Sequence, residues 1–160
     1  MGVVQGWPLN AAHWHLVVNH LPIVGFVFAF LVLALSEFSA CSAWRKVGWF
    51  ITFVAAAFLY PVFETGEHAY DLVKKLEGVA ASQIDRHAEK AILAIWCAGI
   101  TGGLALLAFI AEGVKGKCLI RPFRFLILLG VFSSLLFFAA TAYEGGLIRH
   151  PELKEQTKPA

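Results

Sequence analysis

Histidine is the residue type in this chain best suited to chemistry. His13, His15, His20, His68, His87 and His150 each carry an imidazole that can bind a metal, ligate haem iron or move a proton near neutral pH. Asn19, Glu64, Glu67, Glu144 and Arg149 lie close to them in the sequence. No H-x-x-x-H or E-x-x-H spacing selects a particular ion, and no C-x-x-C-H provides for covalent haem attachment. Cys41, Cys97 and Cys118 are widely separated, which indicates neither a disulfide framework nor a zinc knuckle, and Cys97 reads as a small packing residue. Gly113 to Lys117 lacks the Walker spacing, and no Ser or Cys stands in a nucleophile context.

Any such site must be positioned by membrane helices. Of the 160 residues 59% are hydrophobic and 15% charged, with a mean hydropathy of +0.70, against about 45 to 50% and 25% in soluble domains. Charge is excluded from four windows, Val17 to Leu35, Val47 to Phe63, Ala91 to Ala111 and Phe125 to Tyr143, which hold 19, 17, 21 and 19 residues. Each is long enough to cross roughly 30 Å of hydrocarbon as a helix. Without period-2 alternation a barrel is excluded. The fold class is therefore all-α, an integral membrane four-helix bundle forming one transmembrane domain over 1–160, with helices over 11–35, 47–63, 83–111 and 123–143. The weak lipoprotein-like string at Phe38 to Cys41 follows too long an apolar run to be a signal core, so the first span is retained. Net charge is +2 without a basic stripe, so nucleic acid is not a partner. No charged residue lies within a window, which leaves no relay for transport.

Orientation follows from Lys and Arg. The links 36–46 and 112–124 carry Arg45, Lys46, Lys115, Lys117, Arg121 and Arg124 against Glu37 and Glu112. The positive-inside rule puts these links in the cytoplasm and both termini on the outer, periplasmic side of a bacterial inner membrane, N-out and C-out. Trp44 and Trp49 then mark the inner interface, and Trp7, Trp14, Tyr60 and Tyr143 the outer. All six histidines fall on the outer side.

Helical phase sorts them. Ser82 and Asp85 form a capping-box pattern, after which Ile84, His87, Ala88, Ala91 and Ile95 share an inward stripe while Arg86, Glu89 and Lys90 face solvent. In the first helix, which Asn10 can cap, His13, Val17, His20 and Val24 share one face, and His15 lies about 140° from His20. Pro22 and Pro61 are expected to kink their helices and free the carbonyls of Val18 and Ala57. Gly145 and Gly146 are expected to end the fourth helix, letting His150 fold back over the bundle mouth. Gly99 and Gly103 form a small-residue pattern for close helix approach. Ala69, Leu72, Val73, Leu76 and Val79 form a stripe that predicts a short interfacial amphipathic helix between helices 2 and 3, lying over the histidine end.

Several motifs stand out: His15-Leu-Val-Val-Asn19-His20-Leu-Pro22-Ile-Val-Gly25, Thr65-Gly66-Glu67, Ile84-Asp85-Arg86-His87, and Gly145-Gly146-Leu-Ile-Arg149-His150-Pro151-Glu152. Together they resemble a family of small four-helix bacterial membrane proteins of undefined function, over about residues 13 to 152. The resemblance singles out His15, His20, His87 and His150, with Asn19 and Arg149 beside them. Two departures from the family pattern are His68 and Tyr70, in place of a small residue and a carboxylate, and Ala88, in place of a glutamate. They put a carboxylate-dependent site in doubt and leave an imidazole-dependent one.

These readings lead to a membrane electron-transfer subunit with a b-type haem near the outer side, oxidising quinol or serving a respiratory complex. His20 and His87 would be its axial ligands, His15 and His150 further ligands or hydrogen-bond partners, and Arg149 the clamp for a propionate. One alternative is a copper, iron or zinc site of His20, His87, His150, Glu64 and Glu144. The other is a structural or assembly subunit without cofactor, whose histidines, His13 and His68 first among them, cap helices and bond carbonyls. With so little mass outside the bilayer, a larger membrane or periplasmic redox complex, or a homo-oligomer, is the expected partner, and quinone an expected small molecule.

Overall fold

This computed structural model describes residues 10–39, 41–115, 121–150 and 152; Trp7, Lys117, Cys118 and Pro151 lie outside them. The described chain is all helix and turn: α1 (Ala11–Val18), α2 (His20–Ser36), α3 (Ser42–Ala57), α4 (Leu59–Val73), α5 (Ala81–Lys115) and α6 (Arg121–Arg149). The α1–α2 and α3–α4 pairs are each one rod with a break. Four rods result, Ala11–Ser36, Ser42–Val73, Ala81–Gly113 and Arg121–Arg149, all long and apolar enough to cross a membrane. Asn10 caps the first, its side chain accepting from the His13 amide at 3.1 Å.

Proline sets both breaks. The helix is interrupted at Asn19, three residues before Pro22, and at Phe58, three before Pro61, because a proline lacks the amide and its ring crowds the carbonyl four residues earlier. α5 has no proline, and the one in α6, Pro122, sits in the first turn, where its missing amide has no helical partner to lose. Both run unbroken for 35 and 29 residues.

Three expected boundaries are corrected. α6 passes through Gly145 and Gly146 and ends at Arg149; glycine costs about 1 kcal/mol in a helix, too little to stop a packed one. No separate surface helix lies between the second and third spans. Ala69, Leu72 and Val73 belong to the end of α4, and turns follow, with Gly78 at φ +77°. α5 begins at Ala81, and Asp85 accepts from the Tyr70 hydroxyl at 3.0 Å, joining α4 to α5 instead of closing a capping box.

The spans form a closed ring. α2 packs on α3, α3 on α5, α5 on α6 and α6 on α2, while α1 packs on α4. Spans one and three therefore stand on a diagonal. The inner face of the third span is small, with Ala94, Ala98, Thr101, Ala105 and Ala108, whereas that of the first also buries Phe26 and Leu33. In the first span Pro22, Phe26, Ala29 and Leu33 are buried, whereas Val17, His20 and Val24 are exposed. This reverses the phase expected from apolarity, since lipid is as apolar as leucine and membrane helices associate through packing and polar contacts. Close approach also falls elsewhere than expected. Gly99 and Gly103 are exposed with nothing near them, while Gly102 faces Ala56 of α3, and a Cβ on Gly25 would stand 2.5 Å from that of Ala55.

At the end formed by the short links, the charges pair. Arg45 on α3 meets Glu112 on α5 at 2.9 Å, and Arg124 on α6 meets Glu37 after α2 at 2.8 Å. The first pair is almost wholly buried, with side chains 7% and 4% exposed. Removing one partner strands a buried charge. Glu112→Ala is expected to lower stability by about 3–5 kcal/mol, measured by reversible denaturation in detergent, while Arg45→Met with Glu112→Leu recovers most of the loss.

Candidate functional site

Two histidines meet at the other end of the bundle. α5 carries Ile84, His87, Ala91, Ala94 and Ala98 down its inner side, so His87 points inward, as its phase predicts. Its Nδ1 lies 2.9 Å from the Thr141 carbonyl of α6. His15, on α1, has its Nδ1 3.1 Å from the Val62 carbonyl and 3.3 Å from Thr65 Oγ1, both on α4. Thr65 itself donates to the Pro61 carbonyl at 2.7 Å. A carbonyl only accepts, so in each ring Nδ1 carries a proton and, in the neutral form, Nε2 the lone pair. Neither Nε2 has a hydrogen-bond partner among the described residues. The rings stand 6.5 Å apart, centroid to centroid, with planes at 89°.

Glycine makes room for each ring. A Cβ on Gly145 would stand 3.1 Å from His87 Nδ1 and Cε1; one on Gly66 would stand 3.1 Å from His15 Cε1. Each glycine is four residues after the carbonyl that its histidine engages, one helical turn along the same face. This explains why α6 tolerates Gly145 in mid-helix. One turn below His15 on the inner face, Asn19 Oδ1 is buried without a hydrogen-bond partner among the described residues.

These coincidences form a repeat. Arg45, Val62 and Gly66 in one half match Arg124, Thr141 and Gly145 in the other, with every spacing equal. Glu37 ends the span that begins with His15, Glu112 ends the span of His87, and each glutamate pairs with the arginine of the opposite half. The bundle is two helical hairpins that share this arginine–carbonyl–glycine spacing, and each contributes one histidine to the pair. The sequence reading missed this, although Gly66 and Gly145 each stand 21 residues after an arginine, Arg45 and Arg124.

The other four histidines make only local contacts. His20 Nδ1 bonds the Leu16 carbonyl at 2.7 Å and His68 Nδ1 the Glu64 carbonyl at 2.7 Å, each within its own span. His13 bonds Asn10. His150 is exposed, lies 3.0 Å from Glu152 and lines the same groove as Arg149, beside the Glu77–Val79 turn, and the Glu152 carboxyl is held below its usual pKa by its own backbone amide and then by His150. The expected His20–His87 pair is thus replaced by His15–His87, because the first span turns the face that carries Pro22 and Phe26 inward. Arg149 is exposed beside an open groove of about 520 Å³ that Glu77, Val79 and Ile148 also line. Glu64 is exposed; Glu144 accepts from Gln83 at 2.6 Å and lies 3.7 Å from Arg86, which also bonds Gln83. Arg86 therefore braces α5 against α6 instead of facing solvent alone. His20, His87, His150, Glu64 and Glu144 do not gather, and among the described residues no three metal-binding side chains are grouped to hold an ion.

Compared with family models, curated proteins and solved structures, the chain finds no match. The site's chemistry lies in two imidazoles, each oriented by a carbonyl from the next helix, whose Nε2 atoms offer lone pairs when the rings are neutral. Gly145→Val is expected to displace the His87 ring and remove its slowly exchanging Nδ1 proton signal in ¹⁵N-histidine NMR. Gly146→Val, where a Cβ meets nothing within 4 Å, should leave that signal in place.

Proposed function

We propose that this protein is a membrane electron-transfer subunit that holds one b-type haem between His15 and His87. The observation that carries the reading is the pair itself. Two imidazoles on opposite sides of one metal, at nitrogen–metal distances of about 2 Å, have centroids roughly 6 Å apart; these stand at 6.5 Å. The donor set suits the cofactor, because a ligating histidine usually gives its other N–H to a carbonyl or carboxylate, as both do here. Haem asks the protein for two ligands, whereas a copper, iron or zinc ion without a macrocycle asks for three or four. When bound, haem supplies one-electron exchange. The chain supplies ligation by His15 and His87, tautomer control by the Val62 and Thr141 carbonyls, ring clearance at Gly66 and Gly145, and a buried acceptor at Asn19.

In this reading the protein is a multi-pass protein of a bacterial inner membrane, both termini outside, and the resemblance to small bacterial membrane proteins concerns the same histidine end. The basic links lie in the cytoplasm. Every histidine is at the outer end, so electrons enter and leave there, from quinol in the outer leaflet or from a periplasmic or membrane redox partner.

Two measurements test this. The detergent-purified protein should show a sharpened b-type band on dithionite reduction, lost in His15→Ala and His87→Ala and kept in His20→Ala; no band in the parent protein, or its loss only in His20→Ala, refutes the assignment. Glu67→Cys, in a chain whose own cysteines are replaced by serine, should react with an impermeant thiol reagent in intact cells. Labelling only after lysis inverts the orientation.

A further inference from the structure

We infer that α1 and α4 form one hinged arm that swings on Asn19 and Phe58 and parts His15 from His87 when it opens, with the Tyr70–Asp85 hydrogen bond as its latch. The inference concerns the helices and does not rest on the haem reading. It starts from the two proline breaks, which lie side by side. α1 and α4 run antiparallel, and His15 on α1 meets the Val62 carbonyl on α4. Four residues inward along each helix stand Asn19 and Phe58, the two breaks, so both interruptions fall at one depth, about 6 Å below the histidine. Pro22 and Pro61 remove the amides that would have bonded the carbonyls of Val18 and Ala57, and a helix bends most readily where its ladder is interrupted. Two breaks at one level give a pair of helices a single axis, whereas breaks at different depths would oppose a common rotation.

Packing differs on the two sides of this axis. Below it, α2 and α3 each bury five residues, and a Cβ on Gly25 would stand 2.5 Å from that of Ala55, so these segments are locked together. Above it, no residue of α1 is buried, and α4 buries only Leu59, beside the break, and Ala69. α1 packs on α4, and neither packs closely on α5 or α6. The opposite wall is braced within itself: Gln83 on α5 donates to Glu144 on α6 at 2.6 Å, and His87 to the Thr141 carbonyl at 2.9 Å. Between arm and wall, among the described residues, there is one hydrogen bond, from the Tyr70 hydroxyl to Asp85 at 3.0 Å, and the ring contact of His15 with His87. Segments with so little buried surface open at low cost, and the motion is a hinge closure whose axis lies at the helix breaks. A ligand that takes both histidines enters while the arm is open and, by binding both rings, holds it shut.

The test is electron–electron double resonance between spin labels on cysteine pairs in the detergent-purified full chain, its own cysteines replaced by serine. Glu67→Cys with Glu89→Cys measures arm to wall, His13→Cys with Glu67→Cys the arm itself, and Glu89→Cys with Tyr143→Cys the wall; all four positions are exposed. Expected are one narrow distance within the arm, one within the wall, and two populations between them. Tyr70→Phe should raise the ratio of the longer to the shorter population about fivefold, the weight of one lost hydrogen bond, and Pro22→Ala with Pro61→Ala should collapse the two towards one. A single narrow arm-to-wall distance that Tyr70→Phe leaves unchanged overturns the hinged arm. A broad distance within the arm overturns its moving as one body.

Discussion

Inside a bilayer a polar group must find its partner within the protein, and this bundle is organised by that constraint. Its inner histidines and its arginine–glutamate pairs reach from one helix to the next, while Ser36, Thr52, Thr101 and Ser134 donate to carbonyls of their own helices. At one end two imidazoles give their Nδ1 protons to carbonyls of neighbouring spans. At the other, two arginine–glutamate pairs join spans two to three and four to one. The histidine bonds join spans one to two and three to four, so the two sets of contacts close the ring from opposite ends. Between them lies an apolar core where Phe26 and Phe138 meet edge to face at 5.4 Å.

The same constraint makes the backbone irregularities intelligible. Pro22 and Pro61 interrupt spans one and two at Asn19 and Phe58, and the segments beyond the breaks, α1 and α4, pack on each other. Those two segments carry His15 and everything that holds it: the Val62 carbonyl, Thr65 and Gly66. The His87 half reaches the same arrangement with unbroken helices. Two routes through the backbone thus deliver one geometry, and the shared elements are the carbonyl and the glycine one turn later.

Two hairpins, each presenting a histidine, a glutamate, an arginine and a carbonyl–glycine pair, exchange their charged partners at one end and bring their histidines together at the other. A ligand between them meets like donors from both sides. Such a site suits a cofactor that needs two like ligands and leaves the rest of its coordination to its own ring, which is why the proposed haem fits better than an ion needing further protein donors.

Much of the architecture was legible in the chain. Windows of 17 to 21 residues without charge are long and apolar enough to cross a membrane as helices, and prolines at 22 and 61 broke them where expected. His87 was legible too, since a third span flanked by Arg86, Glu89 and Lys90 leaves it only the inner side. The partner of His87 was not. Apolar periodicity put His20 inside, and it fails in a membrane because lipid offers the apolar side chains as good a home as the core does. His15 was chosen by packing: Pro22, Gly25 and Ala29 let the first span approach its neighbours on the face that also carries His15 and Asn19. Sequence alone determined that there are four helices and that their histidines lie at one end. Which two histidines meet, and at what angle, was decided by carbonyls 47 and 54 residues away, contacts that exist only once the helices have packed.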